Sequence, residues 1–370
     1  MTCLRGRILR EDGAFRKGRI EFGETIREIA DEGSDGPYII PGLIDIHTHG
    51  AAGFDFSEAS PDEIREMSLF YAKNGVTSFL ATTITEPADA LAGAMKNIAL
   101  FERPENGARC LGINMEGPFL SYEKRGAHQA DFLMAPDIGM FEQMNALSKN
   151  GIKLVSVAPE LPGAMAFIRE ASKACGVSLA HSAAGYDIAS EAFENGASHV
   201  THLYNAMSPF SHRDPGIPGA AMDAGACVEI ICDGIHLHPS VIRAVYRMFK
   251  ERVCMISDSV RATGLPDGEY ELGGLPIIIK DGKSTLLDGT IAGSIITLMQ
   301  GVRNAVSFGV PPADAATAAT FNNAHAIGAE KAVGTLSEGK LADIVVLDED
   351  LNIQAVYIGG REISLSLSSS

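Results

Sequence analysis

Histidines and carboxylates stand at spacings that could bind a divalent metal. His47 and His49 flank a single residue at the end of an apolar run. Since side chains two positions apart on a strand point the same way, both imidazoles could reach one ion. Five further apolar runs end in polar residues, namely Glu116, His181, His202, Asp233 with the nearby His236, and Asp258. Imidazoles and carboxylates are ligands of Zn²⁺, Fe²⁺ and Mn²⁺, so the sequence predicts a metal-dependent hydrolase.

Such a site would activate water. A bound divalent ion lowers the pKa of water to about 7, which gives hydroxide near neutral pH. Glu116 has two carboxylate oxygens and could bridge two ions. Asp258 could bind the metal weakly or move protons to and from the attacking water. The predicted chemistry is the hydrolysis of an amide.

Four other histidines have positions that favour structural roles. His199 precedes His202 by three residues, at the start of its run. Three others lie in loop or helix positions, where metal ligation is the less favoured interpretation: His212, His238 and His325. Asp45 lies between two isoleucines of its run, and we expect it to orient a neighbouring ligand or to bond the backbone.

These residues are spaced along a chain in which short apolar runs alternate with longer amphipathic segments. The apolar runs lie at 44–47, 76–82, 110–115, 153–158, 177–180, 200–203, 228–232 and 253–257. Helical spacing is seen from a capping box at Ser60 to Gly75, and at 165–174, 187–194, 239–252, 297–308 and 312–327. This α/β pattern predicts a (β/α)8 TIM barrel, whose active site lies at the C-terminal strand ends. A doubly wound sheet is the alternative, but it would spread the polar strand ends along a crevice.

The two ends of the chain differ from the middle. Short strands separated by turns are predicted at 4–9 and 19–22, and again at 344–347 and 356–358. Neither end could bury a core alone. We therefore expect a small β-sandwich domain built from residues 1–40 and 334–370, beside a barrel at 41–333.

Composition and charge limit the classes of partner and the cellular location that the sequence allows. The 370 residues carry a formal net charge of -17, which argues against nucleic acid and anionic membrane. No apolar run is long enough to span a bilayer, and residues 1–15 lack the apolar core of a secretory signal, so a cytoplasmic location is expected. The six cysteines form no C-x-x-C pair. A cysteine nucleophile is the weaker catalytic alternative, with Cys232 near His236 its candidate.

Short motifs spread over the whole chain carry a family resemblance. They are PGLIDIHTHG at 41–50, EGPF at 116–119, GAH at 126–128, HLYNAMSP at 202–209, DGIH at 233–236, SD at 257–258, TGLPDG at 263–268, TIAGS at 290–294 and GKLAD at 339–343. Together they resemble the amidohydrolase superfamily and, within it, the N-acetylglucosamine-6-phosphate deacetylase family. The resemblance implies hydrolysis of the acetamide of N-acetyl-D-glucosamine 6-phosphate to D-glucosamine 6-phosphate and acetate, in amino-sugar catabolism and cell-wall recycling.

The resemblance also implies roles for matching residues. Glu116, His181 and His202 would hold the principal metal, and His47 and His49 a second ion that shares Glu116. One or two divalent ions are therefore expected, as Zn, Fe, Mn or Co. Asp258 would be the catalytic acid and base as well as a metal ligand. The implied substrate contacts are Ala127, His128, Asn205, Ala206, Arg213 and His236, with Arg213 reaching the neighbouring active site of a homodimer.

Two departures from the family pattern and two competing functions remain. Arg261 places a cation near Asp258 where small residues are commoner, and Asn322-Asn323 stands where Asn-Pro is usual.

Another amidohydrolase, such as a cyclic amidase or a deaminase, would often use a carboxylated lysine, yet Lys153 begins its strand. A non-catalytic barrel is the other alternative, although loss of catalysis should erode the ligands.

Overall fold

The computed structural model describes residues 1–33 and 35–365. Its strands are β1 Thr2–Leu9, β2 Phe15–Phe22, β3 Ile26–Asp31, β4 Tyr38–Pro41, β5 Leu43–Thr48, β6 Gly50–Ala51, β7 Phe54–Asp55, β8 Val76–Thr83, β9 Arg109–Met115, β10 Ile152–Val157, β11 Gly176–Leu179, β12 His199–Val200, β13 Cys227–Ile231, β14 Val253–Ile256, β15 Gly268–Leu272, β16 Leu275–Lys280, β17 Lys283–Leu286, β18 Ile344–Leu347, β19 Ile353–Ile358 and β20 Arg361–Glu362. Its helices are α1 Pro61–Lys73, α2 Ala88–Leu100, α3 Ile138–Leu147, α4 Ala164–Ala171, α5 Tyr186–Glu194, α6 Gly216–Ala224, α7 Pro239–Phe249, α8 Leu298–Ser307, α9 Pro312–Ala318 and α10 Phe321–Ala326, with 3-10 turns at Ala130–Phe132 and Lys250–Arg252. Within these residues, no helix has the length and apolar character needed to cross a bilayer.

The central sheet is a parallel barrel. Its eight strands neighbour one another in chain order, β5-β8-β9-β10-β11-β12-β13-β14. The first and last strands meet at their C-terminal ends, where the Asp258 N–H donates to the His47 carbonyl at 2.9 Å. Seven of the eight predicted apolar runs agree with their strands to within one residue at each end, while the run at 200–203 extends three residues beyond β12. The fold class is confirmed. The doubly wound alternative is wrong, because its edge strands would stay apart.

Helix boundaries follow local chemistry. At α1, the Glu63 N–H donates to the Ser60 hydroxyl and the Ser60 N–H donates to the Glu63 carboxylate, which is the predicted capping box. The expectation of one helix over 312–327 is wrong, because the helix is interrupted between the end of α9 and the start of α10. The break lets the Asn323 side-chain amide donate to the Ile44 and Met255 carbonyls at 2.6 and 2.7 Å, inside the barrel.

The chain ends join in one seven-stranded sheet, ordered β20-β19-β18-β4-β1-β2-β3. One face packs on the barrel, with Leu9, Ile40, Val345 and Val356 in the main core. The other face encloses a second core of Ile8, Ile20, Phe22, Ile39 and Ile344. The sheet curls around that core, since the Ile26 N–H donates to the Lys340 carbonyl. The association of the two ends is as predicted, the division at 40 and 334 stays a prediction, and residues 366–370 of the second segment lie outside the described residues.

A three-stranded antiparallel sheet, β15-β16-β17, was not anticipated from the sequence. Its apolar face packs with Ile84, Ala127 and Val260, which lie at the C-terminal rim of the barrel. The sheet therefore covers one side of the rim where the polar strand ends converge.

Candidate metal centre and active site

The polar residues that follow the barrel strands lie together at one rim. Glu116 directly follows β9, whereas His181, His202 and Asp258 each come two residues after their strands. These last three have left-handed backbone, with φ of 44°, 26° and 49° respectively. Strained backbone in non-glycine residues is concentrated at functional sites, because the surrounding structure must hold it in place.

Glu116 lies at the centre of the cluster. Its Oε1 is 3.2 Å from Nε2 of both His181 and His202. Its Oε2 is 3.1 Å from Nε2 of His49 and 3.4 Å from Nε2 of His47. One buried carboxylate thus faces two pairs of imidazoles, one pair at each oxygen.

The spacing within each pair suits ligands of a common ion. Nε2 of His181 and Nε2 of His202 are 3.1 Å apart, and the same atoms of His47 and His49 are 3.4 Å apart. Ligands held at about 2.0–2.1 Å from a tetrahedral ion would lie about 3.3 Å from one another. Each pair together with Glu116 could therefore hold a metal ion.

Asp258 joins the pair formed by His47 and His49. Its Oδ1 is 3.3 Å from Nε2 of His49 and 3.5 Å from Nε2 of His47. The carboxylate is buried, yet it lines the cavity above the cluster. Asp258 can therefore contact both an ion and a bound small molecule.

Hydrogen bonds at Nδ1, the ring nitrogen that faces away from Glu116, orient two of the histidines. Nδ1 of His47 is 2.8 Å from Glu229 Oε2, and Nδ1 of His181 is 2.9 Å from the Lys124 carbonyl. Bonds of this kind fix the tautomer that leaves Nε2 free for a metal. Glu229 also contacts His199, whose Nε2 is 3.1 Å from Oε1, so His199 lies below the rim as expected.

Opposite charges shift the pKa values of the cluster in opposite directions. Burial would raise the pKa of Asp258, but the charge of His47 and the hydrogen bond from His49 bring it to about 2. Burial would lower the pKa of His49, but Asp258 and Glu116 raise it to about 9. The carboxylates are thus ionised and attract protons to the imidazoles, and a divalent cation would displace those protons.

A cavity of about 470 Å³ opens above the cluster. Among its lining residues are five of the six predicted substrate contacts, Ala127, His128, Asn205, Ala206 and His236. The sixth, Arg213, is exposed on the segment before α6 and does not line this cavity. Lys124 and Arg125 do line it, together with Asp288 and with Glu123, which is 3.3 Å from Lys124.

The two cavity histidines outside the metal groups have defined hydrogen bonds. The Thr85 N–H donates to Nδ1 of His128 at 3.3 Å, which leaves the proton on Nε2. Burial, and then the charge of His181, lower the pKa of His128 well below its usual range, so this imidazole is neutral. Nδ1 of His236 is 2.7 Å from Asp233, and Nε2 remains for a ligand. Asp233 therefore orients His236.

Two further sequence candidates lie away from the chemistry. Arg261 contacts Glu58 at 2.7 Å and is not among the residues that line the cavity. Cys232 is fully buried, burial raises the pKa of its thiol, and it does not line the cavity either. The geometry gives no support to a cysteine nucleophile. Asp45 accepts from the Ser257 hydroxyl and N–H, the backbone role expected of it.

Sequence reasoning missed Glu229, Thr85 and the pair Lys124-Arg125. Glu229 has a readable signal, because it is a carboxylate inside the otherwise apolar strand β13. Thr85 and the basic pair lie in loops whose course depends on the whole fold, and only the structure brings them to the cavity.

A TIM barrel with two pairs of imidazoles around one carboxylate is typical of metal-dependent barrel hydrolases. The amidohydrolase family matches residues 38–363. N-acetylgalactosamine-6-phosphate deacetylase of Escherichia coli O157:H7 is 36% identical over 331 residues, 88% of each chain. N-acetylglucosamine-6-phosphate deacetylase of Bacillus subtilis is 37% identical and covers 94% of this chain and 92% of its own.

Solved structures agree with the sequence relatives. A variant of N-acetyl-D-glucosamine-6-phosphate deacetylase from Mycobacterium smegmatis, in complex with N-acetyl-D-glucosamine 6-phosphate, superposes with a TM-score of 0.92 at 31% identity. The match covers 98% of this chain and 99% of that one. The chain belongs to the amidohydrolase family, and the resemblance read from its motifs is confirmed.

Proposed function

We propose that the protein hydrolyses the acetamide of N-acetyl-D-glucosamine 6-phosphate, giving D-glucosamine 6-phosphate and acetate. The observation that carries this proposal is the set of four imidazoles around Glu116, with Asp258 beside them, at the base of a cavity. The named relatives act on N-acetylated hexosamine phosphates of this kind. We also propose that the enzyme acts in the cytoplasm, in amino-sugar catabolism and cell-wall recycling.

The donor set fits one or two divalent ions of the Zn, Fe, Mn or Co class. Glu116, His181 and His202 would hold the principal ion, and His47 and His49 a second one that shares Glu116. When bound, the ion supplies Lewis acidity, which lowers the pKa of water and polarises the amide oxygen.

Asp258 would carry the proton through both halves of the reaction. Its carboxylate is ionised and lines the cavity, so it can accept a proton from the attacking water. The same carboxyl group can then donate that proton to the amine as the carbon–nitrogen bond breaks. His128 would donate its Nε2 proton to the acetamide oxygen, because its Nδ1 already accepts from Thr85.

The rest of the cavity would bind the sugar and its phosphate. We propose that His236 and the backbone of Asn205 and Ala206 contact the phosphate, since all three residues line the cavity. Lys124 and Arg125 are the cationic side chains that would attract the phosphate, although Glu123 and Asp288 line the same cavity. Arg213 would complete the phosphate site across a homodimer, in agreement with its exposed position.

The test is acetate release by the purified protein, run with elemental analysis of its bound metal. We expect turnover of N-acetyl-D-glucosamine 6-phosphate and little turnover of the unphosphorylated sugar. Equal rates on the two sugars would contradict the phosphate site, and no release by metal-loaded protein would contradict the activity.

N-acetyl-D-galactosamine 6-phosphate is the second candidate substrate, because the Escherichia coli relative is named for it. The two sugars differ only in the configuration of one hydroxyl group. A comparison of kcat/KM for both substrates on the same preparation decides between them.

A further inference from the structure

A second group of metal-binding side chains lies at the opposite end of the barrel. His199 begins β12 and Cys227 begins β13, while Cys254 is the second residue of β14. Strand pairing sets His199 beside Cys227, and Cys254 beside Glu229 two residues further along β13. One potential ligand atom from each of His199, Cys227 and Cys254 lies within 4.8 Å of the other two.

The surroundings of His199 resemble those of a metal ligand. His199 is 1% exposed and Cys254 is fully buried, whereas Cys227 is half-buried. Nε2 of His199 is 3.1 Å from Glu229, which leaves Nδ1 available for an ion. The other oxygen of Glu229 orients His47 in the same way. A carboxylate behind a histidine is the usual second contact of a metal-binding imidazole.

The two cysteines lie beside polar groups. Cys227 pairs with His199 across β12 and β13, and Sγ of Cys254 lies 3.7 Å from the Asn322 carbonyl. Cysteine binds metals as its thiolate, so both thiols would lose their protons on ligation.

We propose that His199, Cys227 and Cys254 bind a thiophilic divalent cation of the zinc class, at a site separate from the catalytic centre. Two thiolates and one imidazole are a ligand set that selects zinc over magnesium or calcium. Binding would release both thiol protons to solvent, and water or the Asn322 carbonyl would complete the coordination. The ion would link three strands at the end of the barrel where α10 packs.

Cobalt substitution tests this proposal, because thiolate ligands give Co²⁺ a near-ultraviolet charge-transfer band. The proposed catalytic ligands are imidazoles and carboxylates, so they cannot produce that band. We expect it in reduced wild-type protein loaded with excess Co²⁺, together with one more bound ion per chain than in Cys227→Ser. Cys110→Ser is the matched control, since Cys110 is also half-buried but lies on β9 outside the group.

Three results would overturn the proposal. The first is the absence of the band from folded wild-type protein whose catalytic site is filled with Co²⁺. The second is a band of equal intensity in Cys227→Ser or Cys254→Ser. The third is a Cys227–Cys254 disulfide, detected by peptide mass mapping of protein purified without oxygen. Because absence of the band from wild-type protein overturns the proposal by itself, and either cysteine variant can assign the band, one variant that fails to fold leaves the test intact.

Discussion

At the scale of single residues, Asp258 offers the sharpest test of the proposed reaction. We expect Asp258→Asn to lower kcat by about 10²–10⁴, the usual contribution of a general acid or base. The principal ion should stay bound, because Glu116, His181 and His202 are unchanged. Asparagine also tolerates the left-handed backbone of this position, where φ is 49°. Acetate release and elemental analysis measure the two effects.

Asp281→Asn is the matched control for that variant. Asp281 has φ of 52° but lies exposed in a hairpin turn, so the same substitution should leave kcat unchanged. Retention of most activity in Asp258→Asn would exclude the carboxylate from proton transfer. Loss of metal along with activity would make Asp258 mainly a ligand.

Glu86 gives a prediction about pH and stability. Burial, and then the charges of Asp55 and other acids, raise its pKa from 4.5 to about 7. Between these values the folded protein holds a proton that the unfolded chain releases, so stability falls as pH rises through this window. Glu86→Gln should therefore show a smaller fall in Tm between about pH 5 and about pH 7. A pH dependence of Tm identical to that of the exposed control Glu142→Gln would refute this account.

At the scale of elements, most of the barrel was readable because its strands are buried on both faces and so are continuously apolar. Polar residues at the ends of such strands stand out, and this is why the sequence predicts the cluster of candidate metal ligands. The β15–β17 hairpins and the break between α9 and α10 were not readable. Their sequences satisfy contacts that only the closed barrel creates, such as the amide bonds of Asn323 to two strand carbonyls.

Those hydrogen bonds tie α10 to the barrel, and their contribution to the free energy of unfolding can be measured. Asn323→Ala would leave the Ile44 and Met255 carbonyls buried without this donor, at a cost of about 1–3 kcal/mol each. We expect the free energy of unfolding, measured in urea, to fall by about 2–6 kcal/mol. Asn352→Ala, in an exposed turn, should change it by less than about 0.5 kcal/mol. Equal effects of the two variants would show that the amide contributes little.

At the scale of the whole molecule, the proposed homodimer depends on Arg213. The cavity contains every other predicted substrate contact of its own chain, whereas Arg213 is exposed outside it. If Arg213 of the partner subunit binds the phosphate, Arg213→Ala should raise KM for the phosphorylated sugar about tenfold to hundredfold. KM for the unphosphorylated sugar should not change, and the exposed Arg247→Ala is the control.

Mixing two impaired variants, assayed at low substrate, distinguishes a partner's arginine from the chain's own. Arg213→Ala subunits retain Asp258, and Asp258→Asn subunits retain Arg213, so a mixed dimer would assemble one complete site from both. Random exchange gives mixed dimers as half of the population, each with one working site of two, so activity at low substrate should recover to about a quarter of wild type. If Arg213 served its own chain, every site in every dimer would lack one of the two residues. Mixing would then restore nothing, which makes the recovered activity a direct measure of whether the active site is shared between subunits.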